Sequence, residues 1–223
     1  MKIKLYKSFE HWCHNGVIWL YSDPHFSDPD QKLMCKDWPS DEEQLNKINS
    51  GLSKNDTIVF LGDIGNTEFI KKIKNSYKVL ILGNHDKGAS NYIKKYQSIV
   101  DDHILFESDL YSEVEAFNDE YWFDNNICPN IGTNNLFDEV YEGPVMINDH
   151  ILLSHEPVQM GFGINIHGHC HSGKFISEDN SCINICSNIV NFEKQRLDKL
   201  VVGRKYIDIH RLAIDKQRGS NNV

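Results

Sequence analysis

Lysine and arginine are absent from Tyr96 to Gly173, a stretch that carries 14 aspartates and glutamates. The rest of the chain holds all 23 basic residues and the other 18 acidic ones, a local balance of +5 within a net charge of −9. Such a segment repels a long polyanion unless bound cations or the basic C-terminal part dominate its path, so extended nucleic acid is a disfavoured partner. The ordinary reading of the acidic excess is a solvated surface, although divalent cations would offset part of it. No Cys-x-x-Cys pair occurs among the six cysteines (Cys13, Cys35, Cys128, Cys170, Cys182 and Cys186). This argues against zinc-finger spacing and against a dense disulfide framework, and reduced thiols packed as small core residues are expected. No run reaches the roughly 18–20 apolar residues of a membrane span. The first ten residues alternate lysine with apolar residues and lack the apolar core of a signal peptide. A cytoplasmic location without membrane contact is the expectation. With 223 residues, 40% hydrophobic and 25% charged, the chain suits one globular domain that buries roughly 70% of its unfolded surface.

What is present is a recurrence. Five short polar clusters lie along the chain: Asp23-Pro24-His25, Gly62-Asp63, Gly83-Asn84-His85-Asp86, Ser154-His155-Glu156 and His167-Gly168-His169-Cys170-His171. Each follows an apolar run that reads as a strand, at residues 17–20, 57–61, 79–82, 151–153 and 164–166. Oxygen and imidazole donors thus fall where strands end and can converge on one spot. Metal ions are the usual reason for such convergence, because soluble cores rarely collect so many ionisable groups unpaired. Taken singly, Asp23 and Asp63 also read as caps or turn residues, Asn84 as a turn former and His155 as a hydrogen-bonded core histidine. Together those readings need a coincidence after every strand. The metal reading is the simpler one.

The first hundred residues alternate strand and helix. Ser40 and Glu43 fit a capping box, and Leu45, Ile48 and Leu52 share one face of a helix expected to end near Gly51. Asn66 is placed to cap a second helix with Phe69, Ile70 and Ile73 as its buried stripe, and Ser90 starts a third carrying Tyr92, Ile93 and Tyr96. Residues 103–150 are aromatic, acidic and Asn-rich, with short strands only; more short strands follow over 151–186 and 205–212. Helices with strands early and strands late predict an α/β sandwich around two sheets. No repeat or linker divides the chain, so residues 1–223 are expected to form one domain.

The succession Asp-x-His, Gly-Asp, Gly-Asn-His-Asp, a lone histidine after a strand and Gly-His-x-His resembles the calcineurin-like metallophosphoesterase superfamily, its small bacterial and phage members above all. The resemblance runs from Val17 to about Leu200 and is weakest between 103 and 140. It implies a four-layer αββα sandwich of two mixed β-sheets, with a dinuclear metal site at the strand ends. It also implies that Asp23, His25 and His171 hold one divalent metal, that Asn84, His155 and His169 hold a second, and that Asp63 bridges both. A bridging carboxylate suits two cations about 3.5–4 Å apart. In an extended Gly-His-x-His segment side chains alternate in direction, so His169 and His171 point one way and Cys170 the other. The mixed donor set accepts Mn²⁺, Fe²⁺, Ni²⁺, Co²⁺ or Zn²⁺ and does not name one.

His85 resembles the family histidine that protonates the leaving oxygen, for which an imidazole has the right pKa range; the alternative is an outer hydrogen bond that positions Asn84. In the serine/threonine phosphatase branch an aspartate three positions after the Gly-Asp aspartate helps to orient this histidine. Here that position is Asn66, which argues against that branch and leaves the orienter of His85 open, Asp86 being adjacent but free to point away. His167 is a candidate for an outer or substrate-edge role. The implied activity is hydrolysis of a phosphomonoester or phosphodiester on a small substrate, such as a nucleotide or cyclic nucleotide. The nucleophile would be a hydroxide shared by the metals, with no serine or cysteine nucleophile. A nuclease of the same superfamily is the alternative, and it would call for a basic groove or a DNA-binding domain. A non-catalytic scaffold, like the retromer subunit of this fold, fits poorly with a full ligand set and His85. Residues 103–140 are expected to form an inserted rim that selects the substrate. The oligomeric state is not legible.

Overall fold

The computed structural model describes residues 3–13, 16–74, 76–86 and 136–201, with the backbone of 207–208. A 3₁₀ helix, Lys7–Cys13, precedes strand β1 (Ile18–Tyr21) and two helices, α1 (Gln31–Met34) and α2 (Asp41–Asn49). Strand β2 (Thr57–Phe60), helix α3 (Glu68–Lys71) and strand β3 (Tyr77–Ile81) follow. After residue 135 come β4 (Glu139–Tyr141), β5 (Val145–Asn148), β6 (Ile151–Leu153), β7 (Phe162–His167), β8 (Cys182–Asn184) and β9 (Gln195–Arg196). Helix α4 (Leu197–Val201) and strand β10 (Ile207–Asp208) close the order.

The strands form two mixed sheets. The first has the order β4-β3-β2-β1-β9, with β1 to β4 parallel and β9 antiparallel. The second has the order β10-β7-β6-β5, with β8 also pairing β7. Period-two alternation explains how they stack. Ile18, Leu20, Val59, Leu61, Val79 and Ile81 face the second sheet, whose Val145, Ile147, Ile151, Leu153, Ile164 and Ile166 complete one core. The residues between them, Tyr21, Ile58, Phe60 and Leu80, point the other way onto Leu45, Ile48 and Leu52 of the α2 region and onto Ile70 and Ile73 around α3. Each such side chain contributes roughly 1.5–3 kcal/mol on full burial. The described residues thus supply the first three layers of the expected αββα order.

Local signals fare unevenly. Ser40 caps α2 as expected, its hydroxyl accepting from the Glu43 amide while the Glu43 carboxylate accepts from the Ser40 amide. Helix α2 ends at Asn49, and Gly51 takes a φ of 69°. Before α3 the N-cap is Thr67, which makes no side-chain bond; the Asn66 side chain instead accepts from the Glu68 amide. The helix expected after Ser90 and most of the segment expected as an insertion at 103–140 lie outside the described residues. The end of that segment is core: Leu136, Phe137 and Val140 are buried, and β4 adds an edge to the first sheet.

Glu139 on that edge strand is 1% exposed. Its carboxylate accepts from Tyr77 Oη at 2.6 Å, Tyr141 Oη at 2.6 Å and Trp12 Nε1 at 3.1 Å, and it meets His11 Nε2. Burial favours its neutral form, but the bonds from His11, Tyr141 and Tyr77 outweigh it and hold the acid below the ordinary glutamate range. A group lowered in this way contributes stability above its unfolded pKa and loses it as pH falls through the folded one. His11 thus serves a carboxylate that ties the 3₁₀ helix to β4. Glu139→Ala should cost about 3 kcal/mol in urea denaturation, because buried Trp12 Nε1 and the half-buried Tyr77 and Tyr141 hydroxyls lose a shared acceptor. A cost under about 1 kcal/mol would show that the cluster does not anchor the edge.

Candidate metal centre

Strands β1, β2 and β3 run parallel and so deliver their following loops to one end of the first sheet; β6 and β7 do the same for the second. The loops then hold one another. Asp23 N donates to Gly62 O at 3.1 Å, His25 N to Asp63 O at 3.0 Å and Gly168 N to His155 O at 2.9 Å. Asp86, the last residue of Gly83-Asn84-His85-Asp86, turns back under the site. Its buried carboxylate accepts from the amides of Gly83 at 2.7 Å, Ile64 at 2.8 Å and Asp63 at 2.9 Å, locking two loops together.

Two details show how tightly the turns are drawn. Asp23, His25, Asp63 and His169 have φ of 53°, 44°, 54° and 62°, the left-handed region that L residues avoid. The motif glycines answer to close approach rather than to flexibility alone. A Cβ on Gly168 would overlap Ser22 Oγ and Asp23 Oδ2, and one on Gly83 would overlap the Asp63 side chain.

Two groups of donors converge. Asp23, His25 and His171 each bring one ligand atom within 4.8 Å of the others, and so do Asp63, His155 and His169. Asp63 lies between the groups, its Oδ2 3.6 Å from His25 Nε2 and 3.4 Å from His155 Nε2. Asn84 Oδ1 sits 2.8 Å from His155 Nε2 and 3.1 Å from His169 Nδ1. All seven residues read as ligands from the sequence are therefore brought together. Asp23, His25, Asp63 and His155 are buried, whereas Asn84 is exposed. His25 Nε2 is buried without a hydrogen-bond partner, and facing carboxylate oxygens and imidazole nitrogens are what a divalent cation would satisfy. The residues fit a metal pair.

Outer partners fix which nitrogen faces the centre. His155 Nδ1–H donates to Leu61 O at 2.8 Å, which turns Nε2 toward the centre. His25 Nδ1 meets Asp28 Oδ2 at 3.0 Å and His171 Nδ1 meets Asn188 Oδ1 at 3.1 Å, with the same result. Asn188 also donates to His171 O at 2.7 Å, so it clamps the residue at both ring and backbone. Cys186 Sγ lies 3.2 Å from His171 Nδ1, and burial pushes its thiol well up. Such partners commonly carry about 10–100-fold in metal affinity.

His85 is exposed, with its amide on Asp63 Oδ1 at 2.8 Å and its ring 5.6 Å from that of His25. Asn66 does not reach it; its amide group donates to Ser27 Oγ at 3.4 Å. His167 is 4% exposed and its Nδ1 meets Gly168 O at 2.8 Å, which favours the outer role over contact with a substrate. Cys170 belongs to neither donor group. Asp28 and Asn188 carry no signal in the sequence; Asp86, adjacent to His85 in its motif, turns its carboxylate to the amides of Gly83, Ile64 and Asp63 instead.

Burial pushes His155 down, but the Asp63 bond, the charges of Asp23 and Asp63 and the Leu61 carbonyl outweigh it and raise its pKa to about 9. A protonated ring cannot ligate, so metal binding must displace that proton. Affinity should therefore rise with pH from 7 to 9, by roughly tenfold per unit for one proton released. Calorimetry in buffers of different ionisation enthalpy measures this, and a flat profile would contradict it.

No helix among the described residues is long and apolar enough to cross a membrane. No curated protein sequence matches the chain. A solved protein of unknown function, AQ665 from Aquifex aeolicus, is similar in fold, with a TM-score of 0.50 at 18% identity over 84% of this chain and 100% of that one. The Pseudomonas putida nuclease MPE is matched with a TM-score of 0.38 at 20% identity, over 69% of this chain and 60% of that one. Residues 16–194 match the family described as calcineurin-like phosphoesterase, whose members are in general metal-dependent hydrolases of phosphate esters. The match takes in every motif from β1 to the loop beyond β8, and the chain belongs to the calcineurin-like phosphoesterase family.

Proposed function

We propose that this chain hydrolyses phosphate esters of a small substrate, a phosphomonoester or phosphodiester, with two divalent metals. The observation that carries the reading is Asp63, a buried carboxylate placed between two donor groups, one of which contains the unpartnered His25 Nε2. Asp23, His25 and His171 would hold one metal, Asn84, His155 and His169 the other, and Asp63 both. When bound, the pair supplies a hydroxide nucleophile at neutral pH and neutralises charge on the phosphoryl oxygens.

The chain's own residues do the rest. His85, exposed at the mouth of the site and tied through its amide to Asp63, is positioned to give a proton to the departing oxygen. Asp86 keeps that loop registered on the Asp63 loop. Asp28, Leu61 and Asn188 hold three imidazoles with Nε2 inward. No serine or cysteine nucleophile is required, and Cys186, kept protonated by burial, is unsuited to that role. The mixed set of imidazole, carboxylate and amide donors would accept Mn²⁺, Fe²⁺, Ni²⁺, Co²⁺ or Zn²⁺.

The test strips the protein with a chelator and restores each metal in turn. p-Nitrophenyl phosphate, bis(p-nitrophenyl) phosphate, cyclic nucleotides and an oligonucleotide are then assayed. Turnover that depends on added metal and saturates at two equivalents is expected. Failure to hydrolyse any ester with any metal would overturn the reading, and preference for the oligonucleotide would favour the nuclease alternative.

A further inference from the structure

A cavity of about 470 Å³ opens where the ends of the two sheets part. Its walls are the end of β3 through Asn84, the β4–β5 turn at Glu142-Gly143-Pro144 and the loop after β6 from Ser154 to Val158. Asn84 and His155 belong both to this cavity and to the candidate metal centre. A group bound here is therefore adjacent to a phosphoryl group on the metals. We propose that the cavity binds the organic part of the substrate, and that it selects a group bearing N–H or O–H donors or a positive charge and no second phosphate. The proposal rests on the phosphoesterase reading and names the substrate class for it.

Three observations carry it. The volume falls in the ordinary range of small-ligand sites, roughly 300–1,000 Å³, and suits a nucleoside or a group of similar size. The walls are set before binding. Val158 N donates to Asn165 Oδ1 at 2.8 Å, and Asn165, fully buried, donates to Ser154 Oγ at 2.7 Å, while Ser154 Oγ donates to Glu156 O at 2.6 Å. Pro144 and Pro157 stiffen the two opposing loops. Finally, the charge is one-sided. Glu142 and Glu156 line the cavity, both exposed, and no lysine or arginine lies among its described lining residues. Carboxylates there accept from an amine, imide or hydroxyl and repel a further phosphate.

The experiment compares three p-nitrophenyl diesters that share one leaving group, so that chemistry at phosphorus is held constant. They are p-nitrophenyl phosphorylcholine, the p-nitrophenyl ester of thymidine 5′-phosphate, and that thymidine ester with a second phosphate on its 3′ oxygen. Wild-type enzyme with two metals should favour the first two over the third in kcat/KM by roughly tenfold or more. The double variant Glu142→Lys/Glu156→Lys should invert that order, and Glu142→Gln/Glu156→Gln should flatten it if the lysine variant does not fold. An unchanged ratio in either variant, with two metals still bound, overturns the cavity assignment and leaves the phosphoesterase reading standing. No turnover of any diester or monoester by wild-type enzyme overturns both.

Discussion

Asp63→Asn should reduce hydrolysis by on the order of a thousandfold or more and leave the purified protein short of both metals. Asparagine is nearly isosteric, and its side-chain oxygen can still accept the His85 amide that Asp63 Oδ1 holds at 2.8 Å. What it removes is the negative charge that faces His25 and His155 together. Asp23→Asn makes the contrast. Asp23 groups with His25 and His171 alone, so its variant should mainly weaken one metal. Metal content by mass spectrometry and titration decides between the two patterns. Two metals retained by Asp63→Asn at wild-type affinity would sink its proposed role as the shared ligand.

His85→Ala should keep both metals and lose activity in a way that depends on the leaving group. An alkoxide needs a proton as it departs, and losing a general acid there costs on the order of 10²–10⁴. A p-nitrophenoxide leaves without one, so its hydrolysis should fall far less. The ring is exposed, and among the described residues no side chain hydrogen-bonds it. Equal losses on alkyl and nitrophenyl esters would point to simple positioning of Asn84 instead.

The parts of this protein that sequence makes legible are those encoded over a few adjacent residues. Apolar runs ending in polar clusters mark β1, β2, β3, β6 and β7 and the donors that follow them. The Ser40 capping box is complete within four residues. What stays hidden depends on partners distant in the chain. Asp86 meets amides 22 and 23 positions earlier, and Asn188 clamps a histidine 17 positions before it. Glu139 reads as one more acid in an acidic stretch, yet its partners come from the 3₁₀ helix, β3 and β4. Periodicity carries no trace of such meetings, because none repeats along the element that supplies it. The burial of Leu136, Phe137 and Val140 at the end of the acidic stretch is hidden for the same reason. A three-residue edge strand is too short to show alternation, and its burial comes from pairing with β3.

The left-handed turns at Asp23, His25, Asp63 and His169 set folding and chemistry against each other. Each costs roughly 1–2 kcal/mol, and together they approach the net stability of an ordinary domain. Glycine at any of the four would relax the backbone and empty the position of its donor. A library of variants graded only on resistance to heat would therefore gather substitutions at these positions early, and its winners would be well-folded proteins with nothing left to hold a metal.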